Sequence, residues 1–433
     1  MRVEPLTRLV GHIAVPGDKS ISHRAVLFGA LGDGETRVTG FGRSADTEAT
    51  IAAVRALGVT VYEHDHDTLR IFGKGLRGLT SPGRPIDCAN AGTLVRLLAG
   101  ILAGQNGQQF ELTGDASLSA RPMKRITEPL SRMGAGLETD DGHLPLGIDA
   151  RPLRSITYEL PVASAQVKSA ILLAGLYAKG ETTVVEPTPT RDHTELMLEA
   201  AGVTITRRES SVTVQPAERL DLGEIEVPGD FSSAAPFIIA ATMLPGSELH
   251  IHGVNLNPRR TGLLTILERM GGRVTVYNRR RIGGEPAGDL DIRSADLVAT
   301  TVLGPEVPLA IDELPLFALA ASCAHGNSRL RGAEELRAKE SDRVEATVDA
   351  LRSLGQHVIA TEDGFRIRGV PTRPRGGKIE SRGDHRIAML GAIAGLASQD
   401  GVEIENADCV AVSFPGFFEL LAHLKETSER QEA

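Results

Sequence analysis

The stretch VPGDKSISHRAVL, residues 15–27, is echoed by VPGDFSSAAPFII, residues 227–239. In both, Val-Pro-Gly reads as an extended segment about to turn. The residue before proline avoids the helical region, and glycine punctuates the chain. The following aspartate stands where a helix N-cap belongs, ahead of a long apolar run. Only the first copy is loaded with Lys19, His23 and Arg24.

The pattern recurs without the letters. GDKSISHRAVLFGAL, NAGTLVRLLAGILAG, SAQVKSAILLAGLYA, DFSSAAPFIIAATML, DELPLFALAASCA and DHRIAMLGAIAGLA each open with a short polar phrase and continue apolar. Their markers Lys19, Gly92, Ser164, Ser232, Asp312 and Asp384 recur about every 68 to 80 residues, the regularity of repeated structural units. The openings offer Ser, Asp or Asn as caps. The runs are apolar around most of a helical circumference, which predicts buried helices. A second, amphipathic helix closing at glycine follows in each of the first five units, as in TIAAVRALGV and LLTILERMGG. Two short strands come next, clearest in VTVYEHDHDTLRIFG and VTITRRESSVTVQP. The sixth unit stops after FPGFFELLAHL.

Val227 opens the fourth unit, so the two VPGD phrases head two halves of three units each. The expected fold is α/β, with two similar domains of three βαβαββ repeats and buried helices under small sheets. Residues 15–226 form one domain; residues 1–14 and 227–433 form the other. The chain crosses between them near 14–18 and 226–230, and the site is expected in a cleft between the domains.

A chain of 433 residues, 41% hydrophobic and 24% charged, has ample length for such cores. Its net charge of −9 argues against nucleic acid or an anionic membrane as partner. The N-terminus lacks an apolar signal region, and no run of about 20 apolar residues offers a membrane span. A cytoplasmic monomer is expected. Cys88, Cys323 and Cys409 are too few and too widely spaced for a disulfide framework or a zinc site, and read as small core residues.

Against that negative balance, cations recur at the unit openings: Lys19, Arg24, Arg96, Arg121, Arg191, Lys339, Arg343 and Arg386. Helix N-termini add partial positive charge and N–H donors. Together they predict a substrate with several negative charges. Asp312, placed in LAIDELPLF after an apolar strand, and Glu340, in RAKESDRVEA, stand at helix entrances. A carboxylate there is either a cap or, in a cationic cleft, half of an acid/base pair. Lys339 beside Glu340 would tune it.

At these residues the chain resembles the 5-enolpyruvylshikimate-3-phosphate synthase family over essentially its whole length. PGDKSISHR, NAGTLVR, RPMKR, SAQVK, RDHTE, KESDR and GDHRIAM carry the resemblance, and several look like the family's second class. The resemblance implies transfer of enolpyruvyl from phosphoenolpyruvate to the 5-hydroxyl of shikimate 3-phosphate, with no metal or cofactor. It implies that Lys19, Ser20, Arg24, Ser164, Ala165, Gln166, Arg191, Asp312 and Lys339 meet shikimate 3-phosphate. Lys19, Gly92, Arg121, Gln166, Arg343 and Arg386 would hold phosphoenolpyruvate, in a pocket shaped by Asn90, Thr93 and Arg96. Asp312 would take the hydroxyl proton, and Glu340 would serve the methylene carbon, assisted by Lys339 or Lys19. His23, His193 and His385 read as hydrogen-bonding residues. Glyphosate would compete with phosphoenolpyruvate.

Two departures stand out. Ala165 replaces the serine of first-class relatives, and Val412, in CVAVSFPGFF, stands where they carry lysine. The sister family that uses UDP-N-acetylglucosamine places a reactive cysteine ahead of an ARP phrase, whereas this chain reads GDASLSARPMKR there. A non-catalytic anion-binding scaffold would not need two carboxylates among the cations.

Overall fold

Each marker phrase lies at or just before a buried helix in the computed structural model, which describes residues 1–431. The six helices are Lys19–Leu31, Gly92–Ala103, Ala165–Gly175, Phe231–Met243, Leu314–Ser322 and His385–Ala397. The echo is structural: Asp18 Oδ1 accepts from Ile21 N at 3.0 Å, and Asp230 Oδ1 from Ser232 N at 2.7 Å. Each caps the helix that follows it. The glycine of the first phrase answers to close approach, since a methyl group on Gly17 would collide with the Gly40 carbonyl. Ser164 and Asp384 also cap, but the helices at Gly92 and Leu314 have no side-chain cap.

The chain forms two compact units. One comprises Gly17–Val227 with Ile282–Glu285; the other comprises Met1–Pro16, Pro228–Arg281 and the chain from Pro286. In the first, three four-stranded sheets each flank one buried helix. The second repeat is representative. Ile86–Asp87 runs parallel to Gln109–Thr113, which pairs antiparallel with His143–Asp149, and Gly136–Asp140 closes the far edge. A side chain on Gly100 would strike the Ala170 carbonyl, so glycine lets two of the buried helices meet closely. Phe28, Leu98, Ile171 and Leu172 are among the fully buried residues of this core.

The first sheet takes its edge strand from the end of the unit. Glu224–Glu226 pairs parallel with Asp33–Thr39. In the other unit Val10–Ala14 does the same for the fourth repeat, pairing parallel with Glu248–Asn255. The strand preceding each VPGD phrase therefore belongs to the opposite unit from the helix that follows it. The sixth repeat lacks a hairpin. Its sheet is Gly377–Glu380, Val402–Glu405 and, antiparallel at the edge, Arg2–Val3. The chain then continues as a helix, Phe417–Arg430. Phe237, Phe317 and Ile393 lie in this second core.

One expectation needs correction. The apolar residues before Asp312 are not a strand: the strand is only Thr301–Val302, and Gly304–Glu306 and Val307–Ala310 form successive helical turns. Pro305 and Pro308 preset φ for a first helical turn and cannot donate to a ladder. Among the described residues, no helix is long and apolar enough to cross a membrane. Of the three cysteines only Cys88 is fully buried, while Cys323 and Cys409 are half-buried; burial pushes the Cys88 thiol up to about 12 and Cys323 up to about 11.

Candidate functional site

In the unit built on Gly17–Val227, the loaded residues of the first helix point into polar surroundings. Lys19 Nζ lies 2.8 Å from Asp46 Oδ2. Arg24 is buried, with Nε donating to Thr194 Oγ1 at 2.7 Å, one terminal nitrogen to the Ser20 carbonyl at 2.8 Å and the other to Ser169 Oγ at 2.9 Å. All three hydrogen-bonding partners are neutral. Burial pushes Arg24 down to about 10; Glu195 and Asp18 oppose that shift, and Arg191 adds to it. Arg24 and Arg191 thus repel each other, a cost that a bound anion would remove. His23 donates or accepts at Thr50 Oγ1, 2.6 Å away; burial holds its imidazole well below the usual range, with Lys19 and Arg24 reinforcing. It is a neutral hydrogen-bonding residue. His193 Nδ1 lies 2.7 Å from Glu285 Oε1.

The second helix opens among cations. Its N-terminus carries no side-chain cap, and a methyl group on Gly92 would lie 2.7 Å from Arg96 NH1 and 3.0 Å from Arg121 NH1. Two guanidinium groups therefore crowd one helix end. Arg121 is steadied by Asn90 Oδ1 at 2.8 Å, and Asn90 in turn donates to Asp115 Oδ2 at 2.7 Å. Arg96 donates to Gln166 Oε1 at 2.8 Å, and Gln166 Nε2 to Thr93 Oγ1 at 3.0 Å. Gln166 sits on the third helix directly after Ala165. Ser164 caps that helix, accepting from Val167 N at 3.4 Å. Lys19, Gly92, Arg96, Arg121, Ser164, Gln166 and Arg191 all stand at or near helix openings of this unit.

In the other unit, the acid/base candidates converge on one buried guanidinium. Arg343 donates to Asp384 Oδ2 at 2.8 Å, to Glu340 Oε2 at 2.6 Å and to Asp312 Oδ1 at 3.2 Å. The three carboxylates raise its proton affinity despite burial. Burial pushes the Asp384 carboxyl up, but Arg343, helped by His385, overrides it and holds the group below the usual carboxylate range. Lys339 is pushed down by burial, against the pull of Asp312 and with the push of Arg343. That lysine is closer to releasing a proton than a solvated one. Arg386 differs from Arg343. It is buried, and among the described residues its guanidinium hydrogen-bonds only the Ser232 carbonyl, at 3.4 Å. Its Nε has no partner, and no carboxylate pairs with it among the described residues. A buried cation in that state invites an anion. Val412 is half-buried in the Ala407–Val412 turn.

Several residues of these clusters escaped the sequence reading. Asp384 marked the sixth repeat, but its part in clamping Arg343 emerges only from packing. Asp46, Ser169 and Thr194 around Lys19 and Arg24 lie in other helices and carry no local signal. Lys168, fully buried within SAQVK, reaches Glu195 at 2.7 Å and Glu186 at 3.1 Å. Arg260, Glu313, Asp230 and Ser232 form a second buried polar knot below Arg386.

Comparison with known proteins gives concordant results. The family model described as EPSP synthase (3-phosphoshikimate 1-carboxyvinyltransferase) matches residues 3–421. A 3-phosphoshikimate 1-carboxyvinyltransferase of Acidithiobacillus ferrooxidans is 51% identical over 415 residues, 96% of this chain and 95% of that one. The enzyme of that name from Halorhodospira halophila is 50% identical over 425 residues, 98% of this chain and 95% of its own. Among solved structures, the EPSP synthase of Acinetobacter baumannii superposes with a TM-score of 0.87 at 44% identity, covering 98% of this chain and 97% of that one. The enolpyruvyl transferase NikO of Streptomyces tendae shares the fold, with a TM-score of 0.76 at 20% identity over 98% of this chain and 96% of its own.

Proposed function

The chain belongs to the EPSP synthase family, and from that premise we propose that it transfers the enolpyruvyl group of phosphoenolpyruvate to the 5-hydroxyl of shikimate 3-phosphate. The products are 5-enolpyruvylshikimate 3-phosphate and phosphate. The observation that carries this reading is the hold of one buried guanidinium, Arg343, on both Asp312 and Glu340. The two carboxylates accept from different nitrogens of that cation, NH1 for Asp312 and NH2 for Glu340, and so stand at separate positions where each can be poised for its own proton transfer.

In the first step Glu340, with Lys339 beside it, delivers a proton to the methylene carbon. The neighbouring carbon becomes electrophilic, and the 5-hydroxyl attacks it while Asp312 takes the hydroxyl proton. The resulting tetrahedral adduct loses phosphate, and removal of a methyl proton restores the double bond. Atoms and charge balance with no oxidant, and the step sequence uses acid/base groups alone. Lys19, Ser20, Arg24, Ser164, Ala165, Gln166 and Arg191, with Lys339 and Asp312, are assigned to shikimate 3-phosphate. Gly92, Arg121, Gln166, Lys19 and Arg386 are assigned to phosphoenolpyruvate. Arg forks suit the two phosphates and two carboxylates that the substrates bring. Arg343 lends its charge to that anion and orients the acid/base pair. The proposed enzyme is a cytoplasmic monomer.

Phosphate release assayed with each substrate alone and with both tests the reading. Release is expected only with shikimate 3-phosphate and phosphoenolpyruvate together. Equal release with UDP-N-acetylglucosamine as acceptor would overturn the assignment, and tight binding without release would favour a scaffold.

A further inference from the structure

The outer face of the sheet formed by Val10–Ala14, Glu248–Asn255, Glu285–Arg293 and Arg273–Ile282 carries ionisable side chains that the enolpyruvyl chemistry does not use. We infer that this face binds a divalent transition-metal ion of the zinc, nickel and copper class through His12 Nδ1 and His252 Nε2. The parallel register sets His12 beside His250 and one pleat away from His252. The ring planes are nearly parallel: His12 lies over His250, centroids 4.4 Å apart and tilted by 10°, and is tilted by only 9° from His252, 5.5 Å away. His12 and His252 therefore meet edge to edge, with His12 Nδ1 3.3 Å from His252 Nε2.

The spacing is the decisive quantity. Two imidazole nitrogens on a tetrahedral zinc ion, each at about 2.0–2.1 Å, stand roughly 3.3–3.4 Å apart. The pair is thus spaced as an edge of a coordination tetrahedron. Without an ion, one ring donates its N–H to the other. With one, His12 carries its proton on Nε2 instead, so both lone pairs face the metal and no net proton is lost. His252 Nδ1 faces Asp289 Oδ2 at 3.7 Å, the side on which a carboxylate orients a ligating imidazole. Asp289 is itself fixed by Gly253 N, Asn278 and Arg280. His12 is exposed, and the His252 side chain is 44% exposed, so the ion enters from solvent and water completes its shell.

The neighbouring trio Glu248, His250 and Asp291 also brings its ligand atoms within 4.8 Å of one another. Arg293 already occupies it, 2.8 Å from Glu248 and 3.4 Å from Asp291, and would have to leave. Among the described residues, the partners recorded for His12 Nδ1 and His252 Nε2 are each other, with no arginine or lysine bonded to either atom.

Calorimetric titration of the full chain with zinc chloride and with nickel chloride tests the inference, with magnesium chloride as a hard-cation control. One ion per chain is expected, with no magnesium binding. His12→Ala and His252→Ala should each weaken zinc about tenfold or more, and His12→Gln and His252→Gln, which keep polarity and bulk, should do the same. The double variant His64→Ala with His66→Ala, on another exposed loop, should bind normally. Normal zinc binding in the His12 and His252 variants would overturn the inference. So would a loss confined to Glu248→Gln with Asp291→Asn, which would place the ion on the trio, or to the His64 and His66 variant.

Discussion

Replacing Gly92 with alanine perturbs the proposed phosphoenolpyruvate cradle without disturbing the backbone. The new methyl group would stand 2.7 Å from Arg96 NH1 and 3.0 Å from Arg121 NH1, where ordinary contact begins near 3.4 Å. Relief therefore requires Arg96 NH1 to retreat by about 0.7 Å and Arg121 NH1 by about 0.4 Å. Both atoms are the far ends of flexible side chains, and alanine is a better helix former than glycine, so the fold should hold. The cost falls on the anion. A hydrogen bond to a charged group contributes roughly 1.5–3 kcal/mol, and the displacement forfeits part of one such bond. With about 1.4 kcal/mol per tenfold, KM for phosphoenolpyruvate should rise about tenfold. Glyphosate, which in this family occupies the same site and is longer, should meet the methyl first, and its Ki should rise by about a further tenfold. Steady-state phosphate release at varied phosphoenolpyruvate and glyphosate, with thermal unfolding as a control for folding, reads both constants. An unchanged KM, or equal weakening of substrate and inhibitor, would refute the argument from crowding at Gly92.

Asp312→Asn and Glu340→Gln should keep substrate binding but lose about 10²-fold or more in kcat, measured by phosphate release and by equilibrium binding of shikimate 3-phosphate; near-normal turnover in either would remove that group from the mechanism. Arg343→Lys keeps the charge but loses the fork that meets three carboxylates, so kcat should fall while KM for shikimate 3-phosphate stays nearly constant; a kcat within about twofold of the parent would contradict the positioning role. Asp384→Asn should cost about 3 kcal/mol in urea unfolding near pH 7, because it removes a carboxylate from a buried guanidinium. The folded carboxyl titrates below its unfolded value, so this contribution is present above about pH 4 and is lost as pH falls through the lower folded value. A difference from the parent that grew on acidification would refute that sign. In the parent protein, glyphosate should compete with phosphoenolpyruvate at intermediate strength, Gly92 favouring sensitivity and the valine at position 412 opposing it; noncompetitive inhibition would argue against a shared site.

The repeats were legible because they rest on local chemistry. Aspartates 18, 230 and 384 and Ser164 announce their helices by capping them, and unbroken apolar runs can only be buried. The glycine-closed amphipathic helices and the hairpin pairs follow the same local rules. The motif phrases likewise brought Lys19, Gly92, Gln166, Asp312, Glu340, Arg343 and Arg386 to attention. What tertiary structure alone decided is how charge is partnered. Arg343 and Arg386 are both buried arginines at helix openings, yet one is held by three carboxylates and the other, among the described residues, by none. Glu340 lies only three residues before Arg343, but Asp312 and Asp384 come from distant stretches of chain, so two of the three carboxylates depend on which repeats pack together. The same holds for the exchange of edge strands, in which residues 10–14 and 224–226 complete sheets begun more than a hundred residues away. A strand's own sequence specifies its faces, but its partner is chosen by whichever unsatisfied edge the fold brings alongside it.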